Sequence, residues 1–194
     1  VDKFIGDAIM AIFSRPSSAL KTSSQIFDEL RIFNFHLARK NTQPIEIGVG
    51  INTGMLMMGI VGDKARLNTT VIGDSVKIAS RLESLTKVYK AKILLSESTY
   101  EKLSNFEKVN IRWIDTVVIK KGKKEKIKIY EFFVNDPPNL VELKKKSKTY
   151  FEKFLEYKEQ NQVSKAKEIL DILKLQFLED PIVEHHLTIQ SKFF

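Results

Sequence analysis

No cysteine occurs in the sequence, so no disulfide can staple the chain and no thiolate can hold a metal, an absence that fits a reducing compartment. Histidine is almost as scarce: three in all, two of them adjacent as His185 and His186, too few for a histidine-built zinc site. No apolar run approaches the roughly 20 residues needed to cross a bilayer, and no signal-peptide pattern opens the chain. Internal repeats and low-complexity segments are missing as well. What remains is 194 residues, 43% hydrophobic and 29% charged, a globular composition with room for one domain and a small appendage. The net charge of +8 points to a polyanionic partner, and much of the excess is gathered in "KKGKKEKIK". The first residue is Val1, inside a strand-like run, so the natural chain is expected to extend upstream. A membrane anchor or sensor domain there would lie outside this sequence.

Apolar runs "KFIG" and "AIMAIF" flank Asp7, and the Gly-Asp pair between them is a hairpin signal. After "RPSS" a helix is predicted from about Ser18 to Lys40, with Ile26, Leu30, Phe33 and Leu37 on its buried face. The stretch "TQPIEIGVGINTG" alternates as a strand, with Gly48 and Gly50 on one face, where something must pack closely. "MLMMGIVG" reads as its partner strand, and Met55, Met57 and Met58 as core filler. A loop ending at Gly73 precedes a helix capped by Asp74 or Ser75. Ile78, Leu82, Leu85 and Tyr89 form its buried stripe; Lys77, Arg81 and Ser84 form a second stripe, placing two cations one turn apart.

"KILLS" is a short strand, and "SESTYEKL" a short helix with Ser98 and Glu101 in capping-box register. Two β-rich runs then meet across "KKGKKE" in a terminal hairpin. "NDPPN", residues 135–139, is a linker, because paired prolines continue neither strand nor helix. Residues 140–194 form a helical tail in which Phe151, Phe154, Leu155 and Tyr157 are followed by Ala166, Leu170 and Leu173, and Pro181 opens a third segment. Such a tail either caps the main domain, begins an array, or packs on a protein partner. Strands and helices mix without a βαβ rhythm, which predicts an α+β domain: an antiparallel sheet with helices on one face.

Four motifs in order, "KFIGDAIMAIF", "PIEIGVGINTG", "TTVIGDSVKIASRLES" and "KKGKKEKIKIYEF", resemble the class III adenylate/guanylate cyclase catalytic domain over residues 1–134. The resemblance implies a ferredoxin-like fold lacking its first strand and helices, and the tail is similar to a tetratricopeptide-like extension. It also implies a reaction: ATP or GTP becomes a 3′,5′-cyclic nucleotide and pyrophosphate at a site shared between two chains. Attack of the 3′-hydroxyl on the α-phosphorus calls for divalent metal ions, Mg²⁺ or Mn²⁺, two per site. Asp7 matches one of the family's two metal carboxylates. Lys3 matches its purine-reading lysine and Thr70 the partner position, a pairing that resembles adenine-selective members and favours ATP over GTP. Arg81 matches the arginine that stabilises phosphate charge in the transition state, and Lys123, with Lys121 beside it, a terminal-phosphate ligand. Residue by residue, each also has a plain reading: Asp7 as a turn residue, Lys3 as a solvated edge lysine, Thr70 as a strand residue, the lysines as a soluble turn.

Two departures from the family pattern stand out. The other metal carboxylate, in a segment like Asp-Ile-x-Gly-Phe upstream of the hairpin, has no counterpart in these residues, so the chain by itself is expected to be inactive. Lys77 occupies the position one turn before the arginine where the family places Asn to orient the ribose. The readings are therefore a homodimeric, cytoplasmic adenylate cyclase domain acting in cyclic AMP signalling, or a catalytically degenerate cyclase-like domain serving as a nucleotide-binding or dimerisation module. A diguanylate cyclase is disfavoured because Ala8 follows Asp7 where that family has further acidic residues. Nucleic-acid binding is disfavoured because no aromatics interleave with the basic run.

Overall fold

The computed structural model describes residues 1–63, 66–118 and 126–190, with the side chains at 60–63, 66–70, 72 and 190 outside that description. The chain opens with the expected hairpin: β1 (Lys3–Ile5) pairs antiparallel with β2 (Ala8–Met10), setting Ile5 against Ala8. Gly6 has φ of +63°, a left-handed conformation that glycine reaches without steric cost, and this closes the two-residue turn.

Pro16 starts α1 (Pro16–Ala38), where its missing N–H costs nothing. The buried face is Leu20, Ser23 and Phe27, with Leu30 packed against the core. Ile26 and Phe33, expected on that face, are exposed. Two adjacent stripes of α1 share helical spacing, and periodicity alone does not choose between them.

The main sheet has the order β3-β6-β8-β7, formed by β3 (Val49–Ile51), β6 (Ile93–Ser96), β8 (Lys126–Phe132) and β7 (Ile111–Val118). The pairs β6–β8 and β7–β8 are antiparallel as expected, but β3 and β6 run parallel, so the sheet is mixed. A long connection through α2 (Asp74–Tyr89) returns the chain to the same end before β6 begins, which a parallel pair requires. "MLMMGIVG" is not the partner of β3. It forms β4 (Met57–Asp63), which pairs in a separate ladder with β5 (Arg66–Ile72), a stretch read from sequence as loop. That ladder stands off the main sheet, so Met55, Met57 and Met58 are not core filler: they are 94%, 74% and 62% exposed.

Gly48 and Gly50 do mark a close approach. A Cβ at Gly48 would lie 2.0 Å from Thr86 Oγ1, and one at Gly50 would lie 2.2 Å from the Ala79 carbonyl oxygen, so α2 rests on bare backbone. Leu82, Leu85 and Tyr89 are the buried residues of its predicted stripe, and Ile78 packs at the margin. The expected side-chain cap at Asp74 or Ser75 is not made; Gly73 is the N-cap and the Ser75 hydroxyl instead donates to the Met55 carbonyl at 2.8 Å. Likewise α3 (Glu97–Tyr100) is capped by Ser96, whose hydroxyl accepts from the Thr99 N–H, and not by Ser98.

The linker is shorter than expected, because α4 (Pro138–Glu159) starts at the second proline of "NDPPN". α5 (Val163–Gln176) and α6 (Pro181–Gln190) complete the tail, and of the three arrangements open to it the tail adopts the first, packing back on the sheet. α4 runs along the free edge of β7: Trp113 N–H donates to Glu152 Oε1 at 3.2 Å and the Thr116 hydroxyl donates to Glu159 at 2.5 Å. Covering an edge strand in this way removes a template for aggregation. One core includes Leu82 of α2 and Ile93, Leu94 and Ile129 of the sheet together with Phe151, Phe154, Leu173 and Ile182 of the tail, all fully buried. Each such side chain contributes roughly 1.5–3 kcal/mol of burial.

Candidate functional site

Residues directly opposite one another in neighbouring strands present their side chains to the same face. Gly50, Leu94, Glu131 and Arg112 are in register across the sheet. Since Gly50 faces α2, so do Glu131 and Arg112, and the tail lies beside α2 on that same face. There Arg112 donates to Glu131 through Nε (2.8 Å), to Ser147 (3.2 Å) and, with both terminal nitrogens, to Asp180. Lys144 Nζ bridges Glu131 and Asp136, each at 2.6 Å, and Lys92 adds a 3.4 Å pair to Asp136. Burial alone works against the Arg112 charge, but Glu131 and Asp180 outweigh it and raise the guanidinium pKa above its ordinary value. Burial pushes the Asp180 carboxyl up, and Arg112 more than reverses this, leaving its pKa lowered. This set balances its charges internally, and its centre, Arg112, Glu131, Lys144 and Asp180, is buried away from any ligand.

The residues singled out from the sequence lie elsewhere. Asp7 sits exposed at the turn of the β1–β2 hairpin, and among the described residues no hydrogen bond or ion pair restrains its carboxylate. Lys3, opposite Met10, has its ammonium 3.4 Å from Asp2. Thr70 is on β5, its backbone opposite Gly59, with its side chain outside the described residues. Lys121 and Lys123 also lie outside them, between β7 and β8.

Lys77 and Arg81 fall on the exposed stripe of α2, as their spacing predicts. Lys77 is 3.7 Å from Asp74, while Arg81 has no hydrogen bond or ion pair among the described residues. The position of Arg81 is therefore set by the helix that carries it. That helix is held at its N-terminal end by Asn52 Nδ2 donating to the Ser75 carbonyl (3.0 Å) and by Ser75 against the Met55 carbonyl. The loop that supplies Asn52 is tied down in turn by Ser98, which donates to the Thr53 carbonyl at 2.8 Å.

At its other end α2 finishes in Lys90, a left-handed residue with φ of 52°, directly after Tyr89. The Tyr89 hydroxyl donates to Asp115 Oδ2 at 2.7 Å and its ring lies 4.7 Å from that of His185. Burial, followed by the Asp115 charge, raises the phenol pKa. His186 is buried, with Nε2 2.9 Å from the Ile114 carbonyl at the bulge in β7. Desolvation is the main cause that lowers its pKa to about 4, so it is neutral near pH 7. None of these contacts was foreseen from sequence. The charged positions inside apolar runs, "IRWI" and "IYEFF", were the available signal for Arg112 and Glu131.

A divalent metal would find one hard oxygen ligand in Asp7. Among the described residues no group of three or more His, Asp or Glu side chains converges on a point. The residues present thus fit a share in a metal site and do not make one alone. A groove of about 240 Å³ between β7 and α4 is lined by Trp113, Asp115, Lys126 and Lys158 and includes none of the candidate residues. No helix among the described residues is long and apolar enough to cross a membrane.

Comparison with known proteins bears on the first two thirds of the chain. The model of the "Adenylate and Guanylate cyclase catalytic domain" matches residues 3–136, ending where α4 begins. An adenylate cyclase of Anabaena cylindrica is 42% identical over 137 residues, covering 68% of this chain and 27% of the relative. The terminal-differentiation specific adenylate cyclase of Dictyostelium discoideum is 39% identical over 136 residues, 68% of this chain and 6% of the relative. The chain thus spans less than a third of the length of these curated relatives. Among solved structures, the guanylyl cyclase Cya2 superposes with a TM-score of 0.55 at 30% identity, covering 71% of this chain and 72% of that one. The adenylyl cyclase CyaB from P. aeruginosa gives 0.52 at 27% identity, with coverage of 67% and 69%.

Proposed function

From the premise that this chain belongs to the adenylate and guanylate cyclase catalytic domain family, we propose that it is the purine nucleotide cyclase unit of its complete protein, forming cyclic AMP from ATP. The observations that carry this reading are the 42% and 39% identity to two adenylate cyclases and the family match over residues 3–136, which hold Lys3, Asp7, Thr70 and Arg81. The matched structures include both a guanylyl and an adenylyl cyclase, so the choice of base rests on Lys3 and Thr70. An ammonium at Lys3 donates to a ring nitrogen, and a threonine hydroxyl accepts from the exocyclic amine of adenine.

In this reading the bond formed joins the ribose 3′-oxygen to the α-phosphorus, and the bond broken releases pyrophosphate. Bound Mg²⁺ or Mn²⁺, held in part by Asp7, would favour loss of the 3′-hydroxyl proton and neutralise phosphate charge. Arg81, on the exposed face of α2 with no hydrogen bond or ion pair among the described residues, stabilises charge that develops on the phosphate oxygens. Lys123 and Lys121 take the terminal phosphates. Lys77 stands one turn from Arg81, where its ammonium adds charge near the phosphates and offers no acceptor to the ribose.

A second copy of the domain completes the site, with Lys3 and Asp7 from one chain facing Arg81 from the other. Exposed apolar side chains at Phe4, Ile9, Met55, Met57 and Met58 support such a partner, since water-facing apolar surface of this kind is costly unless covered. The test is to incubate the complete protein with ATP or GTP and Mg²⁺ or Mn²⁺ and resolve the cyclic products chromatographically. Cyclic AMP formed in excess over cyclic GMP supports the reading, and no cyclic nucleotide under any combination overturns it.

A further inference from the structure

Besides its contacts along β7 and β8, the helical tail touches the C-terminal end of α2, the helix that carries Arg81. Tyr89, the last residue of α2, lies two turns beyond Arg81, a distance of roughly 12 Å along the helix axis. Its hydroxyl is bound to Asp115 of β7, and Asp115 is also 3.6 Å from Lys158 of α4. His185 of α6 lies against the Tyr89 ring, and Glu184 of α6 pairs with Lys90 at 3.0 Å. His186 takes up the Ile114 carbonyl that the β7 bulge turns outward.

We propose that α4–α6 form a positioning element for the phosphate-facing half of the site, fixing α2 through Tyr89 and β7 through Asp115 and the Ile114 carbonyl. Arg81 makes no hydrogen bond or ion pair among the described residues, so its place follows that of α2, which β3 and the buried Leu82 and Leu85 hold along its middle and the tail holds at its C-terminal end. Displacements near 1 Å in such groups cost about 10²-fold in rate, which is why a further contact at the distal end has catalytic value. Arg112 and Asp180 make the tail's hold on the sheet rigid; the tail meets α2 itself through His185 on the Tyr89 ring and Glu184 on Lys90, and Lys158 supports the Asp115 that holds the Tyr89 hydroxyl. The inference rests on the phosphate role proposed above for Arg81.

Tyr89→Phe removes the hydroxyl and keeps the ring. In the complete protein we expect kcat to fall about tenfold with the nucleotide KM within about twofold, and amides of α2 to exchange with deuterium faster while those of β8 do not change. A merely structural tyrosine lowers Tm and leaves kcat per folded molecule and α2 exchange at 25 °C unaltered, and that result overturns the proposal. Faster exchange with unaltered kcat overturns it too. If Tyr89→Phe does not fold, Glu184→Lys at the exposed pair takes its place, with the double variant Lys90→Glu/Glu184→Lys expected to restore kcat. If the parent protein forms no cyclic nucleotide, the cyclase reading fails on its own, and α2 exchange in Glu184→Lys, which breaks the tail's own pair with Lys90, then decides whether the tail holds the helix.

Discussion

Arg112 and Asp180, 68 residues apart in sequence, meet as a doubly hydrogen-bonded ion pair with neither side chain exposed to solvent. One belongs to the cyclase sheet and the other to the turn before α6, so the contact makes the tail part of the domain's fold. Taking charges out of water is expensive, and the expense is offset here by Glu131, Lys144 and Ser147, which use the remaining donors and acceptors. Asp180→Asn leaves a buried guanidinium short of a counter-charge. We expect it to destabilise the protein by about 3–5 kcal/mol, read as a fall in the urea midpoint at constant m-value. Deleting everything after Pro137 is expected to leave an aggregating remnant, because the β7 edge and the apolar face under Phe151 and Phe154 are both uncovered.

His186 gives the fold a pH dependence. Its pKa is about 4 in the folded protein against about 6.5 in an unfolded chain, so between those values the unfolded state binds the extra proton and stability falls as pH is lowered. Above pH 6.5 the histidine contributes no slope. Across the window the loss approaches about 3 kcal/mol. The surrounding charges divide: Asp115 of β7 favours protonation, while Lys158 of α4 and the neighbouring His185 oppose it. His186→Gln keeps a donor for the Ile114 carbonyl and removes the titration. We expect its plot of unfolding free energy against pH to be flatter between pH 4 and 6.5 than that of the parent.

The elements read correctly from sequence are those with a local cause. The Gly-Asp hairpin, the α2 stripe and the glycine face of β3 follow from backbone freedom, helical spacing and missing side chains. Failures came where the answer depended on distant chain. Nothing near Met57 says that β4 leaves the sheet, and nothing near β3 says that its neighbour is a parallel β6. The site divides the same way: Lys77 and Arg81 share a stripe by helical spacing alone, but Tyr89 and Asp115 become partners only through tertiary packing.

Gly50 and Gly59 should respond in opposite ways to the same change. Gly50→Ala sets a methyl 2.2 Å from the Ala79 carbonyl and 2.4 Å from the Glu83 nitrogen, both backbone atoms that cannot swing aside. The helix must move off β3, and a loss of several kcal/mol is expected, on the scale of about 1–3 kcal/mol or more for overpacking. At Gly59 a Cβ meets nothing within 4 Å, so Gly59→Ala is expected to leave Tm within a degree or so or to raise it slightly. Thermal unfolding of the two variants side by side checks both.

Asp7 is exposed at a two-residue turn, so Asp7→Ala should leave folding intact. In the complete protein it should abolish cyclic nucleotide formation with either Mg²⁺ or Mn²⁺, since one of the two carboxylates that this reading gives the metal ions is then missing. Unaltered Tm together with lost turnover is the expected pair of results. Full activity in the variant refutes the metal assignment.

Lys77 offers the sharpest test of whether the site is tuned or decayed. It is 80% exposed and pairs on α2 with Asp74, 3.7 Å away, a surface pair worth about 0–1 kcal/mol, so replacing it does little to the fold. Asparagine there can both donate and accept, which lysine cannot, and one oriented contact made in the transition state is worth about 10²–10³ in rate. Lys77→Asn in the complete protein is therefore expected to raise kcat at least about tenfold, with Arg81→Ala lowering it by about 10²–10³ in the same assay. A rise shows that the remaining groups are already placed for catalysis and that Lys77 restrains them. Unchanged kcat in Lys77→Asn with the Arg81 effect intact means that the lysine serves the phosphates as well as the amide would serve the ribose.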